Sequence, residues 1–187
     1  MPVLPVNSCS IDQKSGEICT GQADLQPISF KSDRLLDHAW IAAHIPHQGD
    51  MCLLDHIVMW DEQQLHCQAN SHRLVNHPLR SRDQLSSVFG IEYAAQAMAV
   101  HGALLAPANN PRPRAGFLVS VRGAMLHVAR LDDIAADLDI AVTCIHSSED
   151  NILYQFTVHA AGQLLLDGRA AVILSAGHQL QLSGPTP

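Results

Sequence analysis

A chain of 187 residues is long enough for one domain with a substantial core and short for two. Apolar residues make up 47% of it and aromatic residues only 4%, so the interior has to be packed from Leu, Val, Ile and Ala rather than from large rings. Eighteen acidic against eleven basic side chains give a net charge of −7, which argues against general nucleic-acid binding, because phosphate contacts need a basic surface.

Residues 1–31 mix Pro, Ser, Gly and isolated charges without periodicity and read as a flexible N-terminal tail. The start lacks a basic stretch followed by an apolar run, and no segment reads as a membrane span of about 20 apolar residues, so the expected location is cytoplasmic. Ser32 or Asp33 can cap a short helix that carries Leu35, Leu36, Ala39, Trp40 and Ala43 at helical spacing and stops near Pro46. Residues 51–60 read as a strand and residues 64–71 alternate as a second, joined by a polar turn at 61–63 into a hairpin.

After an Arg-containing loop, residues 85–105 are rich in Ala and Met and apolar on nearly every side, the pattern of a buried helix. Its small residues, among them Gly90, Ala94, Ala95 and Ala97, allow a curved sheet to approach closely. A Pro/Asn/Arg loop at 107–114 ends it. Four strand-like runs follow, at 116–128, 137–146, 152–160 and 163–175, separated by turn signals such as Ala161-Gly162, and residues 178–187 read as a flexible C-terminal tail. Without alternation of strand and helix, parallel crossovers are not expected. The pattern predicts an α+β domain over residues 32–177, an antiparallel curved sheet wrapped around one long central helix.

The five cysteines are odd in number, widely spaced and free of CxxC pairs, as expected of reduced thiols. Twelve histidines invite a zinc reading, but no HExxH or close Cys/His quartet is present, and neither metal nor cofactor is expected. Between Gln84 and Leu131 the sole carboxylate is Glu92, inside the helix predicted to be buried. A buried acid neutralises or finds partners, so its pKa is expected to rise, as suits a general acid or base near neutrality. The structural alternative is a carboxylate satisfied by backbone amides or a symmetry mate. Gln96 lies one helical turn on and can orient either Glu92 or a ligand.

The segment Ile45-Pro46-His47-Gln48-Gly49-Asp50-Met51-Cys52-Leu53-Leu54-Asp55 resembles the motif that opens the bacterial 3-hydroxyacyl-acyl-carrier-protein dehydratases, a Leu-Pro-His turn before a Leu-Leu-Asp strand. Gly90-Ile91-Glu92-Tyr93-Ala94-Ala95-Gln96-Ala97 is similar to their central helix. The likeness is nearest to the dehydratases of aryl polyene clusters, and it implies the hot-dog fold, with a histidine and a carboxylate contributed by different chains of a homodimer or heterodimer. In the fatty-acid dehydratases the histidine sits in a His-Phe-Pro-Gly turn; here the stretch is Asn76-His77-Pro78-Leu79-Arg80. His47 and His77 therefore compete as the partner of Glu92, with His47 favoured and His77 the alternative.

Dehydration of a 3-hydroxyacyl thioester requires a base for the carbon-bound proton, an acid for the hydroxyl and support for charge on the thioester oxygen. The histidine and a protonated Glu92 are expected to fill the first two roles, and unpaired amides at Phe89 and Gly90 the third. The substrate arm, a 4′-phosphopantetheine-linked acyl chain, would arrive on an acyl carrier protein, for which Arg73, Arg80 and Arg82, with Arg112 and Arg114, are the candidate docking cations. Two rivals are a hot-dog thioesterase using the same helix, and a non-catalytic subunit that completes another dehydratase.

Overall fold

The structure, a computed structural model, describes residues 36–107 and 115–175. The expected tails, the Ser32 and Asp33 caps and the Arg112 and Arg114 pair lie outside those residues. The first helix, α1 (His38–His44), is capped instead by Asp37, whose carboxylate accepts from Trp40 N–H at 3.0 Å. Two strands follow, β1 (His56–Trp60) and β2 (Gln64–Ala69), then the central helix α2 (Gly90–Leu105) and four strands, β3 (Gly116–Leu126), β4 (Leu138–Ser147), β5 (Asn151–Ala160) and β6 (Gln163–Leu174). All pairings are antiparallel, in the order β1-β2-β4-β5-β6-β3.

Period-two alternation sets which face is buried. Leu138, Ile140 and Val142 of β4 and Tyr154, Phe156 and Val158 of β5 point inward onto Tyr93, Ala94, Ala97, Met98 and Val100 of α2. The small helix residues let the sheet approach. At Gly90 an added Cβ would lie 2.3 Å from Cδ2 of the fully buried Leu166, so this glycine is required by packing between α2 and β6. A 3₁₀ turn, Ser87–Phe89, leads into α2 and is tied to the strand-like segment beyond β3, with Ser87 N–H to Ala129 O at 3.0 Å and Leu131 N–H to Leu85 O at 2.8 Å. By length and composition the stretch Ser87–Leu105 could cross a membrane; here it lies against β2, β4 and β5 as a core helix.

One expectation is corrected. The first strand starts at His56, not Met51, because Gly49–Met51 form a 3₁₀ turn opened by Gly49 in the left-handed region (φ 56°). Leu53 and Leu54 are then both fully buried, which alternation along a strand would forbid. Edge strand β3 is also exceptional. Phe117, Leu118, Val119, Met125 and Leu126 are 41–59% exposed, on both faces of the strand.

Among the described residues three histidines, His72, His77 and His101, are buried. Burial pushes the pKa of His72, His77 and His101 below the ordinary 6.5. Each therefore contributes stability that is fully present above about 6.5 and is lost as pH falls from there through the folded-state value, since the unfolded chain binds the protons. The thermal midpoint should decline between about pH 7.5 and 5.5, and His101→Gln should flatten that decline. Melting curves across this range check it; a midpoint that rises on acidification would refute it.

Candidate active site

His47 reaches the site from the turn between α1 and β1. The side chain of Gln48 holds that turn from below, donating to Ala42 O at 2.7 Å and to Ile45 O at 3.3 Å. Glu92 sits in the first turn of α2, where the positive end of the helix dipole favours a carboxylate. The two meet within one chain, His47 Nε2 lying 3.1 Å from Glu92 Oε1, with side chains 27% and 29% exposed. The expectation that histidine and carboxylate come from different chains is thus corrected for His47. Nδ1 of His47 is buried and has no hydrogen-bond partner among the described residues.

Gln96 is fully buried and joins the turn to the helix. Its carbonyl accepts from Leu53 N–H at 2.9 Å, and its amide donates to Met51 O at 2.8 Å and to Glu92 Oε1 at 3.0 Å. It acts on the carboxylate and the loop rather than as an exposed ligand contact. The expected rise in the Glu92 pKa is overturned: the His47 contact, against the opposing effect of burial, and the Gln96 hydrogen bond hold the carboxyl below its ordinary 4.5. The helix is buried, yet this position is only half-buried and finds two donors.

His77 lies elsewhere. It is 3% exposed, its Nδ1 accepts from Leu79 N–H at 3.1 Å, and its Nε2 lies 3.1 Å from Tyr93 Oη. Both nitrogens are engaged away from Glu92. The amides of Phe89 and Gly90 are not unpaired, as expected from the sequence, because the 3₁₀ turn supplies acceptors: Phe89 N–H donates to Ser86 O and Gly90 N–H to Ser87 and Val88 carbonyls. Phe89 packs on the core and Gly90 under Leu166, so neither is a free substrate contact.

The arginines divide similarly. Arg80 is 15% exposed and directed inward, to Asp132 at 3.7 Å and to Asp83 O at 3.1 Å. Asp132 also pairs with Arg130 and accepts from Leu85 N–H at 2.8 Å, with its carboxyl held well below the usual range chiefly by Arg130. Arg80 therefore builds the loop and is not available for docking. Arg73 is partly exposed but donates to Asp137 at 2.7 Å and to Ala135 O at 2.9 Å. Arg82 stands exposed at the tip of a tight turn, in which it and Asp83 both have positive φ (52° and 62°) and Ser81 pairs with Gln84. Sequence reasoning missed Ser71, Tyr93 and Asp132; the only available signal for Asp132 was an acid among nearby arginines.

The model of a family described as ApeP-like, ApeP dehydratase, matches residues 39–181. The chain belongs to the ApeP-like dehydratase family. Among solved structures it is similar to the dehydratase heterocomplex ApeI:P from Xenorhabdus doucetiae, with TM-score 0.65 and 22% identity over 73% of this chain and 91% of that one. A variant thioesterase from Pseudomonas aeruginosa is similar with TM-score 0.53 and 12% identity over 78% of this chain and 99% of that one. At these identities the likenesses establish the hot-dog fold. A comparison with curated proteins gives no match.

Gln96→Leu removes three hydrogen bonds and leaves the buried Leu53 N–H and the half-buried Met51 C=O without them. An ApeP-like chain carrying it should lose about 2–4 kcal/mol in urea unfolding, from roughly 1–3 kcal/mol for the buried Leu53 N–H and about 1 kcal/mol for the half-buried Met51 C=O. A loss below about 1 kcal/mol would show that the side chain does not hold the turn.

Proposed function

We propose that this ApeP-like chain dehydrates 3-hydroxyacyl thioesters, presented on the 4′-phosphopantetheine arm of an acyl carrier protein, to the 2-enoyl thioesters. The observation that carries the reading is the 3.1 Å contact between His47 and Glu92, an acid–base couple held open to solvent on one side. To act as both acid and base the couple must hold one proton between its two members, a ring nitrogen and a carboxylate oxygen already within hydrogen-bond distance. In the resting pair the carboxyl stays ionised. When a substrate excludes water, the proton crosses to Glu92, leaving His47 as a neutral base.

His47 then takes the proton from C2 while Glu92 gives its proton to the departing 3-hydroxyl, so that water leaves and the C2–C3 double bond forms. Afterwards the pair again holds one proton, in the resting arrangement. Because the amides of Phe89 and Gly90 are engaged, support for the thioester oxygen has to come from another donor, which a partner subunit could bring. For the carrier protein, Arg82 is the exposed cation nearest the start of α2 in sequence, and it carries the docking reading in place of Arg80.

The exposed apolar residues on both faces of β3 support association with a second hot-dog subunit, either another copy or a different chain, since large exposed apolar patches mark interaction surfaces. Leu118 and Leu126 pair with Val172 and Leu166 of β6 and are themselves exposed. Leu118→Lys with Leu126→Lys should leave a folded chain that no longer associates, as read by light scattering. Normal association of this double variant would remove the β3 reading.

Glu92→Gln and His47→Asn should each lower dehydration about 10²–10⁴-fold with a melting temperature within a few degrees of the parent, consistent with loss of a general acid or base. The assay uses a 3-hydroxyacyl carrier-protein substrate, with and without a co-expressed hot-dog partner, and analyses the product. A conjugated enoyl thioester supports the proposal; free thiol would assign hydrolysis instead, and a fully active Glu92→Gln variant would end it.

A further inference from the structure

Behind the His47–Glu92 pair lies a buried series of hydrogen bonds that no step of the proposed reaction uses. Leu79 N–H donates to His77 Nδ1 at 3.1 Å, which leaves the proton of a neutral ring on Nε2, 3.1 Å from Tyr93 Oη. Tyr93 Oη lies 2.8 Å from Ser71 Oγ, and Ser71 Oγ lies 2.8 Å from the carbonyl of Leu53. A carbonyl can only accept, so the Ser71 hydroxyl hydrogen goes to Leu53 and the Tyr93 hydroxyl hydrogen to Ser71. The direction of every bond is fixed: Leu79 to His77, to Tyr93, to Ser71, to Leu53.

Leu53 is the residue at which this series meets the site. Its N–H is taken by Gln96 and its C=O by Ser71, so both backbone groups are clamped by side chains that α2 supplies or holds. Tyr93 and Gln96 are three residues apart and therefore neighbours on the helix surface. Met51, two residues before Leu53, is held by the same Gln96 amide that reaches Glu92. The turn bearing His47 is thus fastened to α2 at two points, one through Gln96 and one through Ser71 and Tyr93.

We propose that Ser71 and Tyr93, backed by His77, are positioning residues that set the distance between His47 and Glu92 by clamping the carbonyl of Leu53. His77 then serves the site as a neutral strut. A protonated ring would turn Nδ1–H against Leu79 N–H, two donors face to face, and burial already disfavours that form. The proposal rests on His47 and Glu92 being the working pair, and is independent of which reaction they perform.

The test reads the pair directly, without substrate. The Glu92 side-chain carboxyl is titrated by carbon-detected NMR in the parent, Ser71→Ala, Tyr93→Phe and Tyr154→Phe. Tyr154 is bonded to His101 at 3.0 Å, further along the same helix, and its variant makes an equivalent cut in a buried hydroxyl contact. Loosening the clamp should raise the carboxyl pKa by about half a unit or more in Ser71→Ala and Tyr93→Phe, as the His47 contact weakens, while Tyr154→Phe leaves it in place. Where Tyr93→Phe does not fold, Ser71→Ala alone decides, since it removes a single oxygen. An unmoved Glu92 titration in the folded clamp variants, or an equal shift in Tyr154→Phe, would overturn the proposal. Loss of dehydratase activity in a variant whose titration is unmoved would count against the positioning role and leave the proposed reaction standing.

Discussion

Gln96 offers one carbonyl and two amide hydrogens, and all three are used: for Leu53 N–H, for Met51 C=O and for the carboxylate of Glu92. Because the side chain is fully buried, water cannot substitute for any of these partners, and each would be costly to lose. The turn carrying His47 thus has no independent position. The amide of Gln96 is one of the two points that fasten it to α2, and the same group orients the carboxylate.

The same logic runs along α2. Tyr93, Gln96 and His101 are polar groups inside an apolar interior, and each is satisfied by a different part of the chain: Ser71 and His77, the turn before β1, and Tyr154 of β5 with the carbonyl of Asp61. Apolar packing against β2, β4 and β5 supplies the non-directional attraction that buries the helix. The polar contacts then select one rotation and one height of the helix among those that apolar packing would tolerate, and the His47–Glu92 distance inherits that choice. Upstream of the helix, Asp132 does the equivalent for the entering loop, drawing together Arg80, Arg130 and the amide of Leu85.

The sequence was most legible where one periodicity decides one face. Alternation in residues 138–142 and 154–158 and the small residues at 94 and 97 foretell which atoms meet in the core, and Ala161-Gly162 foretells the tight turn between β5 and β6. Strand β1 was misjudged because Leu53 and Leu54 look like strand interior; they lie between the 3₁₀ turn and β1, where the N–H of Leu53 is taken not by a neighbouring strand but by a glutamine 43 residues away. The ionisation of Glu92 was misread for the same reason. A lone acid in an apolar helix suggests a raised pKa, and only the fold brings His47 and Gln96 to it and reverses the sign. Arg80 looked like a solvated cation because pairing with Asp132 depends on two loops folding together.

His77 shows how a familiar residue type can change employment when its surroundings change. In a turn lacking Phe-Pro-Gly it is buried, one nitrogen occupied by Leu79 N–H and the other by Tyr93, and taking up a proton would break the contact with Leu79. His47 has the opposite arrangement: one nitrogen against a carboxylate, the other without a partner among the described residues. The His47 nitrogen that faces the carboxylate belongs to a partly exposed pair and can exchange a proton there, whereas the ring of His77, buried and satisfied at both nitrogens, is a structural element. A second subunit on β3 would therefore find the acid–base pair already assembled, and what it could add is a cover for the exposed apolar strand and a donor for the thioester oxygen.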